Sequence, residues 1–295
     1  MHYVVLDLEW NTAYSKAKRG FVNEIIEFGA VKLDEQFHVL DGFSAFCKPQ
    51  ISPKLNSHVK KLTSIRNEDL ADALPYQTVY QAFADWSLDG EPSVPVFLSW
   101  GDMDIRTLIA NNQYFFHDPH IKFMEEYVDL QIYFMHQNGL PKTKQIGLSD
   151  AAELIHEDPD QFIHHRALDD SKLAAVCLRA VYEPESFEDS VALCDEELYK
   201  RILFKPYYIN NIQDKQIDQS MLSCSCFNCG GTCKPLSEWK CSNNGFHAIY
   251  ECPDCSTRYR VNISFKRTYN QVITKKNVIV LKPKKKKARA KAGKH

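Results

Sequence analysis

The sequence lacks the features of membrane and secreted proteins. It contains no apolar stretch of about 18 residues, the length that a membrane-spanning helix needs. Its N-terminus has no basic segment and Asp7 interrupts its first apolar run, so we expect no signal peptide. Its ten cysteines are not scattered, because seven of them lie between Cys224 and Cys255. This clustering favours metal binding over disulfides, and we expect a cytoplasmic protein.

Charge is distributed unevenly along the 295 residues. The formal net charge is −2, but residues 1–182 contain 16 Lys and Arg against 26 Asp and Glu, whereas residues 282–295 contain eight basic and no acidic residues. An acidic body suits metal cations, and a basic end favours contact with polyanions. The length and the hydrophobic content of 44% allow one or two domains with a core.

Apolar patterns in residues 1–182 predict strands first and then alternating strands and helices. Residues 3–8 form a short apolar strand, and residues 24–33 and 37–47 predict a hairpin. A fourth strand at residues 94–99 and helices before and after it follow, with the last helix covering residues 173–181. This order indicates a mixed α/β sheet with helices on its faces.

The first strand carries two acids, Asp7 and Glu9, with Leu8 between them. Because side chains alternate along a strand, the two carboxylates point to the same side. Two buried carboxylates repel each other, so the pair is stable only if one is protonated or a cation lies between them. The alternative is that Glu9 already lies in a loop and both acids are solvated.

Further acids occupy comparable positions: Asp102 or Asp104 follows the fourth strand, and Asp169 or Asp170 opens the last helix. Open α/β sheets build their sites beyond the carboxyl ends of strands, so we expect these acids to converge with the first pair. Carboxylate-only clusters suit Mg²⁺ or Mn²⁺, and two such ions can promote phosphodiester hydrolysis. His165 is a candidate general base because an ordinary histidine has a pKa near 6.5.

Four motifs occur in order in residues 1–182: Asp7-x-Glu9, Glu24-Ile-Ile-Glu-Phe-Gly-Ala-Val, Trp-Gly-x-x-Asp104 and His165-x4-Asp170. Together they resemble the DEDDh branch of the RNase H-like 3'-to-5' exonucleases, which includes proofreading and RNA-trimming enzymes. The resemblance implies an RNase H-like mixed five-stranded sheet flanked by helices. It also implies a metal-dependent enzyme that releases nucleoside 5'-monophosphates from single-stranded 3' ends, with RNA favoured over DNA because the Trp-Gly-x-x-Asp segment is closer to the RNA-trimming members.

The resemblance also assigns roles. Asp7, Glu9, Asp104 and Asp170 would hold two Mg²⁺ or Mn²⁺ ions, and His165 would be the general base. Asp7 would bridge both ions, Glu9 and Asp170 would hold the ion that activates water, and Asp104 would act mainly through metal-bound water. Spacing selects Asp170 over Asp169 and His165 over His164. Asp104 is preferred to Asp102, although both lie in the same short turn.

The main departure from the family pattern is Trp10-Asn11, where many relatives have threonines after the glutamate. We expect these two residues to contact the terminal nucleotide, with Trp10 either stacking on a base or packing in the core. The alternative function is a non-catalytic nucleic-acid- or protein-binding module, because a fold alone does not fix chemistry.

Two Cys-x2-Cys turns, Cys226 with Cys229 and Cys252 with Cys255, predict a small β-rich zinc ribbon over residues 224–281. Each turn would give two thiolates to one structural, tetrahedral Zn²⁺. A redox dithiol is the competing interpretation. Three further cysteines have no assigned role: Cys224, Cys233 and Cys241.

The flanking segments complete the domain prediction. Residues 183–223 form a helical or irregular connector that offers a docking surface to a protein partner. Residues 220–295 contain 16 Lys and Arg against three Asp and Glu, interleaved with Tyr259, Phe265 and Tyr269. This composition suits a nucleic-acid backbone with some base stacking. We expect residues 282–295 to be disordered and to contact nucleic acid.

Overall fold

A computed structural model describes residues 2–90, 93–141 and 145–282. The chain divides into two compact units, Met1–Leu203 and Phe204–His295. Within the described ranges, no helix is long and apolar enough to cross a membrane. The cytoplasmic location stays a prediction. The stretch predicted to be disordered, residues 282–295, lies outside the described residues except for Lys282.

The first unit contains a seven-stranded mixed sheet with strand order β4-β3-β2-β1-β5-β6-β7. The hairpins β1-β2 and β2-β3 are antiparallel, and β5 and β6 continue parallel to β1. The bounds are β1 Tyr3–Ser15, β2 Gly20–Leu33, β3 Val39–Lys48, β4 Leu74–Pro75, β5 Val96–Ser99, β6 Glu126–Asp129 and β7 Ala192–Leu193. The predicted mixed sheet is confirmed, with short strands β4 and β7 added at its two edges.

Within the described part of this unit, eight α-helices surround the sheet or follow its strands. They are α1 Ser57–Thr63, α2 Tyr76–Leu88, α3 Met103–Phe115, α4 Leu130–Gln137, α5 Leu148–Leu154, α6 Ala167–Val181, α7 Pro184–Glu188 and α8 Glu196–Leu203, and a 3-10 turn covers Pro159–Gln161. Because side chains alternate along β1, this strand contributes residues to a hydrophobic core on each face of the sheet. Val4 and Leu6 pack with α2 and α3, whereas Tyr3 and Val5 pack with α4 and α6.

The first strand is longer than the sequence predicts. β1 continues past Glu9 to Ser15, where it pairs with Gly20 of β2, so residues 10–15 are strand and only residues 16–19 form the turn. Exposed residues alternate with buried ones along residues 11–15, and cross-strand pairing with β2 holds this extension in place. Glu9 therefore lies in the sheet and not in a loop.

Residues 183–223, predicted as one connector, are divided between the two units. Helix α8 packs Leu198, Tyr199 and Ile202 into the first core because one face of this short helix is apolar. Strand β8, Tyr207–Tyr208, pairs instead with a strand of the second unit. Protein docking on this stretch stays a prediction.

The second unit is a six-stranded antiparallel sheet. It contains β8, β9 Lys234–Pro235, β10 Lys240–Ser242, β11 Gly245–Glu251, β12 Arg258–Arg267 and β13 Val272–Leu281, together with a 3-10 turn at Gln219–Leu222. Strand β12 alternates strictly, with Tyr259, Val261, Ile263 and Phe265 buried. The inward face of this sheet therefore forms the core of the unit.

Candidate active site

Four facing positions on β1 and β2 form the floor of the site. Asp7 pairs with Gly29, and Glu9 pairs with Glu27. Paired residues of antiparallel strands place their side chains on the same face. Asp7 thus lies beside a glycine, and Glu9 lies beside a third acid, Glu27.

Helix α6 crosses this floor at Gly29. A Cβ atom built on Gly29 would lie 2.0 Å from the carbonyl carbon of Ala167, which is far inside van der Waals contact. The Ser171 hydroxyl donates a hydrogen bond to the Gly29 carbonyl oxygen at 3.0 Å. Glycine is therefore required for the close approach that brings the N-terminus of α6 onto the sheet.

An ion pair fixes the same helix end. Arg166 donates to Glu27 Oε1 through Nε at 3.1 Å and through Nη2 at 2.9 Å. The Arg166 guanidinium also lies over the Phe46 ring, 5.4 Å from its centroid. Glu27 is buried, so the protein neutralises this acid with its own cation.

The third predicted carboxylate is tied directly to the first strand. Asp104, in the first turn of α3, is buried, and its Oδ1 accepts a hydrogen bond from the Leu8 backbone N–H at 3.1 Å. Asp102 instead pairs with Arg106, with 2.7 Å between Oδ2 and Nη2. The structure therefore places Asp104, and not Asp102, between Asp7 and Glu9.

The four predicted carboxylates line one cavity of about 460 Å³: Asp7, Glu9, Asp104 and Asp170. Ligand atoms of Glu9, His165 and Asp170 lie within 4.8 Å of one another, a spacing that allows a shared metal ion. Asp7 and Asp104 line the same cavity. The apolar part of its wall comes from Trp10, Leu62, Trp100, Met103 and Leu148.

Burial and mutual repulsion disturb every carboxyl group of this cluster. Burial, together with the charges of Asp170 and Glu27, raises the pKa of Glu9 to about 8. Burial also raises the pKa of Asp104 to about 7 and that of Asp170 to about 6. The pKa of Asp7 lies well above its usual range because the group is buried beside Asp104 and Asp170. The cluster favours a bound proton or a bound cation.

His165 stands at the mouth of this cluster. Its φ of 57° lies in the left-handed region, where histidine is tolerated better than most residues. Burial lowers the pKa of its imidazole, and the neighbouring His164 lowers it further. His164 itself lies 3.6 Å from Asp160 in an ion pair. His165 is therefore poised as a neutral base near physiological pH.

Of the two residues predicted to meet the terminal nucleotide, only Trp10 borders the cavity. Trp10 is half-buried and also packs against the core. Asn11 is buried, and its side chain bonds to backbone groups of Lys54 and Asn56. Asn11 anchors a loop and does not border this cavity.

Sequence reasoning missed the supporting residues Glu27, Gly29 and Arg166. Glu27 and Gly29 lie inside the second motif, and Arg166 follows His165 directly. The available signal was an acid in the middle of an apolar strand together with an arginine beside the candidate base. A buried acid requires a partner, and Arg166 was within the motif region.

The predicted cysteine ligands also converge. The sulfur atoms of Cys226, Cys229, Cys252 and Cys255 lie within 4.8 Å of one another. The Cys226–Cys255 and Cys229–Cys252 pairs are 3.4 Å apart, which is too far for disulfides and fits thiolates around one tetrahedral ion. None of the ten cysteines, all of which lie in the described residues, forms a disulfide.

Tyr259 supports this cluster instead of stacking on a base. Its hydroxyl accepts from the Phe227 N–H at 3.0 Å and lies 3.1 Å from Cys226 Sγ. The contact between the Tyr259 hydroxyl and Cys226 Sγ is the main cause that lowers the pKa of the Cys226 thiol to about 6. A lowered thiol pKa suits a metal ligand. Tyr259 and Phe265 are both fully buried, so the predicted stacking by these two rings is wrong. Cys224 and Cys233 are buried neighbours in the adjacent core.

The comparison with protein families decides the class. The family model described as Exonuclease, RNase_T, matches residues 4–178. The chain belongs to this exonuclease family. The predicted hydrolytic exonuclease is thereby confirmed as the enzyme class.

Two curated relatives are similar to the exonuclease over its first unit. The "Probable 3'-5' exonuclease KapD" of Bacillus subtilis is 28% identical over 186 residues, which cover 62% of this chain and 86% of the relative. The human "ERI1 exoribonuclease 2" is 26% identical over 197 residues, which cover 59% of this chain but only 27% of the human protein.

Solved structures show the fold. The nuclease domain of 3'hExo, a DEDDh family member bound to rAMP, superposes with a TM-score of 0.54 at 21% identity, covering 65% of this chain and 95% of that domain. The structure of a 3'-exonuclease with a histone mRNA stem-loop gives a TM-score of 0.52 at 21% identity, covering 65% and 84%. The predicted RNase H-like exonuclease fold is confirmed, with seven strands in place of five.

Proposed function

We propose that the protein is a DEDDh-type, metal-dependent 3'-to-5' exonuclease that shortens single-stranded nucleic acid, RNA in preference to DNA, and releases nucleoside 5'-monophosphates. One observation carries the proposal. Four carboxyl groups with raised pKa values converge with His165 on a single cavity of an exonuclease-family fold.

The donor set fits divalent cations. Asp7, Glu9, Asp104 and Asp170 offer only carboxylate oxygens, which are the ligands that Mg²⁺ and Mn²⁺ prefer. Their carboxyl groups resist ionisation because each is buried near others. We propose that two Mg²⁺ or Mn²⁺ ions are held by these four residues. Such ions would neutralise the acids, polarise the scissile phosphate and make water more acidic.

His165 supplies the proton acceptor. Because burial lowers its pKa, a ring nitrogen of His165 is unprotonated at neutral pH and can take a proton from the attacking water. The water oxygen bonds to phosphorus as the bond between phosphorus and the 3' oxygen of the penultimate nucleotide breaks. That 3' oxygen takes up a proton, and the terminal nucleotide leaves as a 5'-monophosphate.

The wall of the cavity suits the terminal base. Leu62 and Met103 are exposed apolar side chains beside half-buried Trp10. Exposed apolar groups beside a polar cluster mark contact surfaces. We propose that the terminal base lies against these three side chains, with Trp10 as a stacking surface.

The names of the relatives support the polarity and the substrate. KapD is described as a probable 3'-5' exonuclease, and the human relative is described as an exoribonuclease. The fold neighbours were solved with rAMP and with a histone mRNA stem-loop. These descriptions favour RNA as the substrate of this chain.

The four-cysteine cluster supports one structural Zn²⁺ in the second unit. A redox dithiol requires two nearby thiols, whereas four sulfur atoms converge here on a common centre. Zinc would replace part of the core of this small unit.

Degradation of matched RNA and DNA oligonucleotides, labelled at the 5' end, tests the proposal. With Mg²⁺ or Mn²⁺ we expect a ladder of labelled products shortened from the 3' end, formed faster from RNA. His165→Ala should reduce the rate by roughly 10²- to 10⁴-fold, the usual contribution of a general base. Asp104→Asn should be inactive, whereas the matched control Asp102→Asn should stay active because Asp102 pairs with Arg106 outside the cluster.

Intact RNA and DNA with both metals would contradict the proposal and support a non-catalytic binding module. Equal rates on RNA and DNA would contradict only the substrate preference. Labelled mononucleotide as the first product would contradict the 3'-to-5' polarity.

A further inference from the structure

The sheet of the second unit has one face that its own core does not use. Burial alternates along β11 and β12, so the residues that neighbour their buried ones point outward, and cross-strand pairing places residues of β10 and β13 on the same side. Cross-strand pairing aligns His247 with Asn262, Asn262 with Asn277, and Ser264 with Lys275. Lys240 pairs with His247 at the edge. We call this outward surface the basic sheet face; its members are Lys240, His247, Arg260, Asn262, Lys275 and Asn277.

The charged side chains of the basic sheet face are positive, and two apolar side chains, Ile249 and Ile279, lie on the same face as the cross-strand neighbours of Arg260. Arg260 and Lys275 are exposed, and among the described residues neither has an acidic partner. The only acid at the outward positions of β10 to β13 is Glu251, and it is bonded to Arg258 at 2.5 Å. The face therefore carries uncompensated cations.

The face also has a shaped hollow. A cavity of about 400 Å³ is lined by His247, Arg260, Asn262, Lys275 and Asn277. The two-residue turn Asn243-Asn244, with φ values of 49° and 61°, closes the hairpin beside it, and Asn243 lines the hollow. The amide groups of the paired Asn262 and Asn277 offer hydrogen-bond donors and acceptors beside the cations.

We propose that the basic sheet face binds the phosphate backbone of a single-stranded nucleic acid, as a second substrate contact on the chain. The inference rests on the proposed function, because a polyanionic strand is the substrate of that activity. Charge complementarity selects a polyanion, and the amides beside the cations suit ribose hydroxyls and phosphate oxygens. Tyr259 and Phe265 are buried, so binding on this face is dominated by phosphates and is insensitive to base sequence.

The test measures binding of a fluorescent single-stranded RNA to the full-length chain over a range of salt concentrations. All proteins carry His165→Ala, so that binding is read without degradation. The test variant is Arg260→Glu with Lys275→Glu. The matched control is Lys205→Glu with Lys215→Glu, two exposed residues of the same unit outside β10 to β13.

Each lost phosphate contact removes about 0.7 from the slope of log affinity against log salt for single strands. Loss of two contacts reduces the slope by about 1.4, so a variant that equals the parent at 1 M salt should bind roughly 25-fold more weakly than the parent at 0.1 M salt. The control should bind within about twofold of the parent, and changing the RNA sequence should leave the effect unchanged.

Equal binding by the test variant and the parent would overturn the inference. Equal loss in the control would also overturn it, because bulk charge would then be the cause. Polyglutamate that displaces RNA from the face at equal charge concentration would show an acidic protein as the partner instead. If the charge reversal lowers zinc content or thermal stability, Arg260→Gln with Lys275→Gln is measured in its place.

Catalysis is read separately from binding. In a chain with His165 intact, hydrolysis of the 4-nitrophenyl ester of thymidine 5'-monophosphate should be unaffected by the Arg260 and Lys275 changes, since this substrate has a single nucleotide. Absence of hydrolysis in the parent would count against the proposed function, while the RNA-binding comparison would still decide the role of the basic sheet face.

Discussion

Replacing Glu9 with glutamine should abolish exonuclease activity and yet stabilise the protein when Mg²⁺ and Mn²⁺ are absent. Burial raises the pKa of Glu9 from 4.5 to about 8 in the folded protein. Between these values the folded state holds a proton that the unfolded state releases. The favourable contribution of Glu9 to the free energy of unfolding is therefore fully present below about pH 4.5 and is lost as the pH rises toward 8.

The difference between the pKa values of Glu9 in the unfolded and folded states sets the size of the stability change. At about 1.4 kcal/mol per pKa unit, Glu9 destabilises the folded protein by roughly 4 kcal/mol at pH 8 and by less than about 1 kcal/mol at pH 5. Glutamine does not ionise, so Glu9→Gln removes this penalty. For a unit of about 200 residues, this gain raises the melting temperature by roughly 10 °C at pH 8.

Thermal unfolding at pH 5 and pH 8, in buffer without Mg²⁺ or Mn²⁺, measures the difference. Added Mg²⁺ should stabilise the wild type more than the variant, because a ligand that binds the folded state shifts unfolding. The contrasting variant is Glu24→Gln. Glu24 is also buried, but both its carboxylate oxygens accept backbone N–H groups, from Gln50, Ile51 and Ser52.

An amide has only one acceptor oxygen, so Glu24→Gln should lower the melting temperature at both pH values. The two buried glutamates thus respond in opposite directions. A Glu9→Gln protein that melts below the wild type at pH 8 without divalent ions would refute the assignment of Glu9 to a repulsive, cation-seeking cluster.

Three further outcomes follow from the packing. Gly29→Ala should lower kcat by more than about 100-fold, because its Cβ would collide with the Ala167 backbone and displace α6; wild-type kcat in steady-state assays would contradict this. Glu27→Gln should lower kcat more than it raises KM, because Arg166 loses its ionised partner beside the base, and an unchanged kcat would count against the role. Cys252→Ser should reduce zinc from about one ion per chain toward zero by metal analysis, and full retention would exclude the four-thiolate site.

Local sequence signals indicated two pairs of candidate site residues, and the family resemblance chose His165 over His164 and Asp170 over Asp169. Asp7 and Glu9 share a strand, and His165 and Asp170 flank one helix start, so short spacing alone relates the members of each pair. Asp104 required the family motif, because Asp102 is two residues away. The structure separates them by a long-range contact, from Leu8 to Asp104, that no local pattern encodes.

Long-range packing also explains what sequence reasoning did not predict. Tyr259 was expected on the surface because it stands among basic residues, but strict alternation along β12 turns it into the core. Asn11 follows the catalytic strand segment, but its side chain holds the loop at Lys54 and Asn56. The sequence predicted a connector at residues 183–203 because α8 is short. In the structure, the apolar face of α8 packs on the first core.

The acids on the floor of the site differ in whether a basic side chain of the protein pairs with them. Glu9 and Glu27 are paired across β1 and β2, and both are acids on the same face. Arg166 bonds directly to Glu27, whereas among the described residues no basic side chain forms an ion pair with Glu9 or Asp7. Buried charges persist only when they are paired. Of the three acids on this floor, only Glu27 has an ion-pair partner among the described residues, so we propose that Asp7 and Glu9 hold an external cation beside His165 and Asp170.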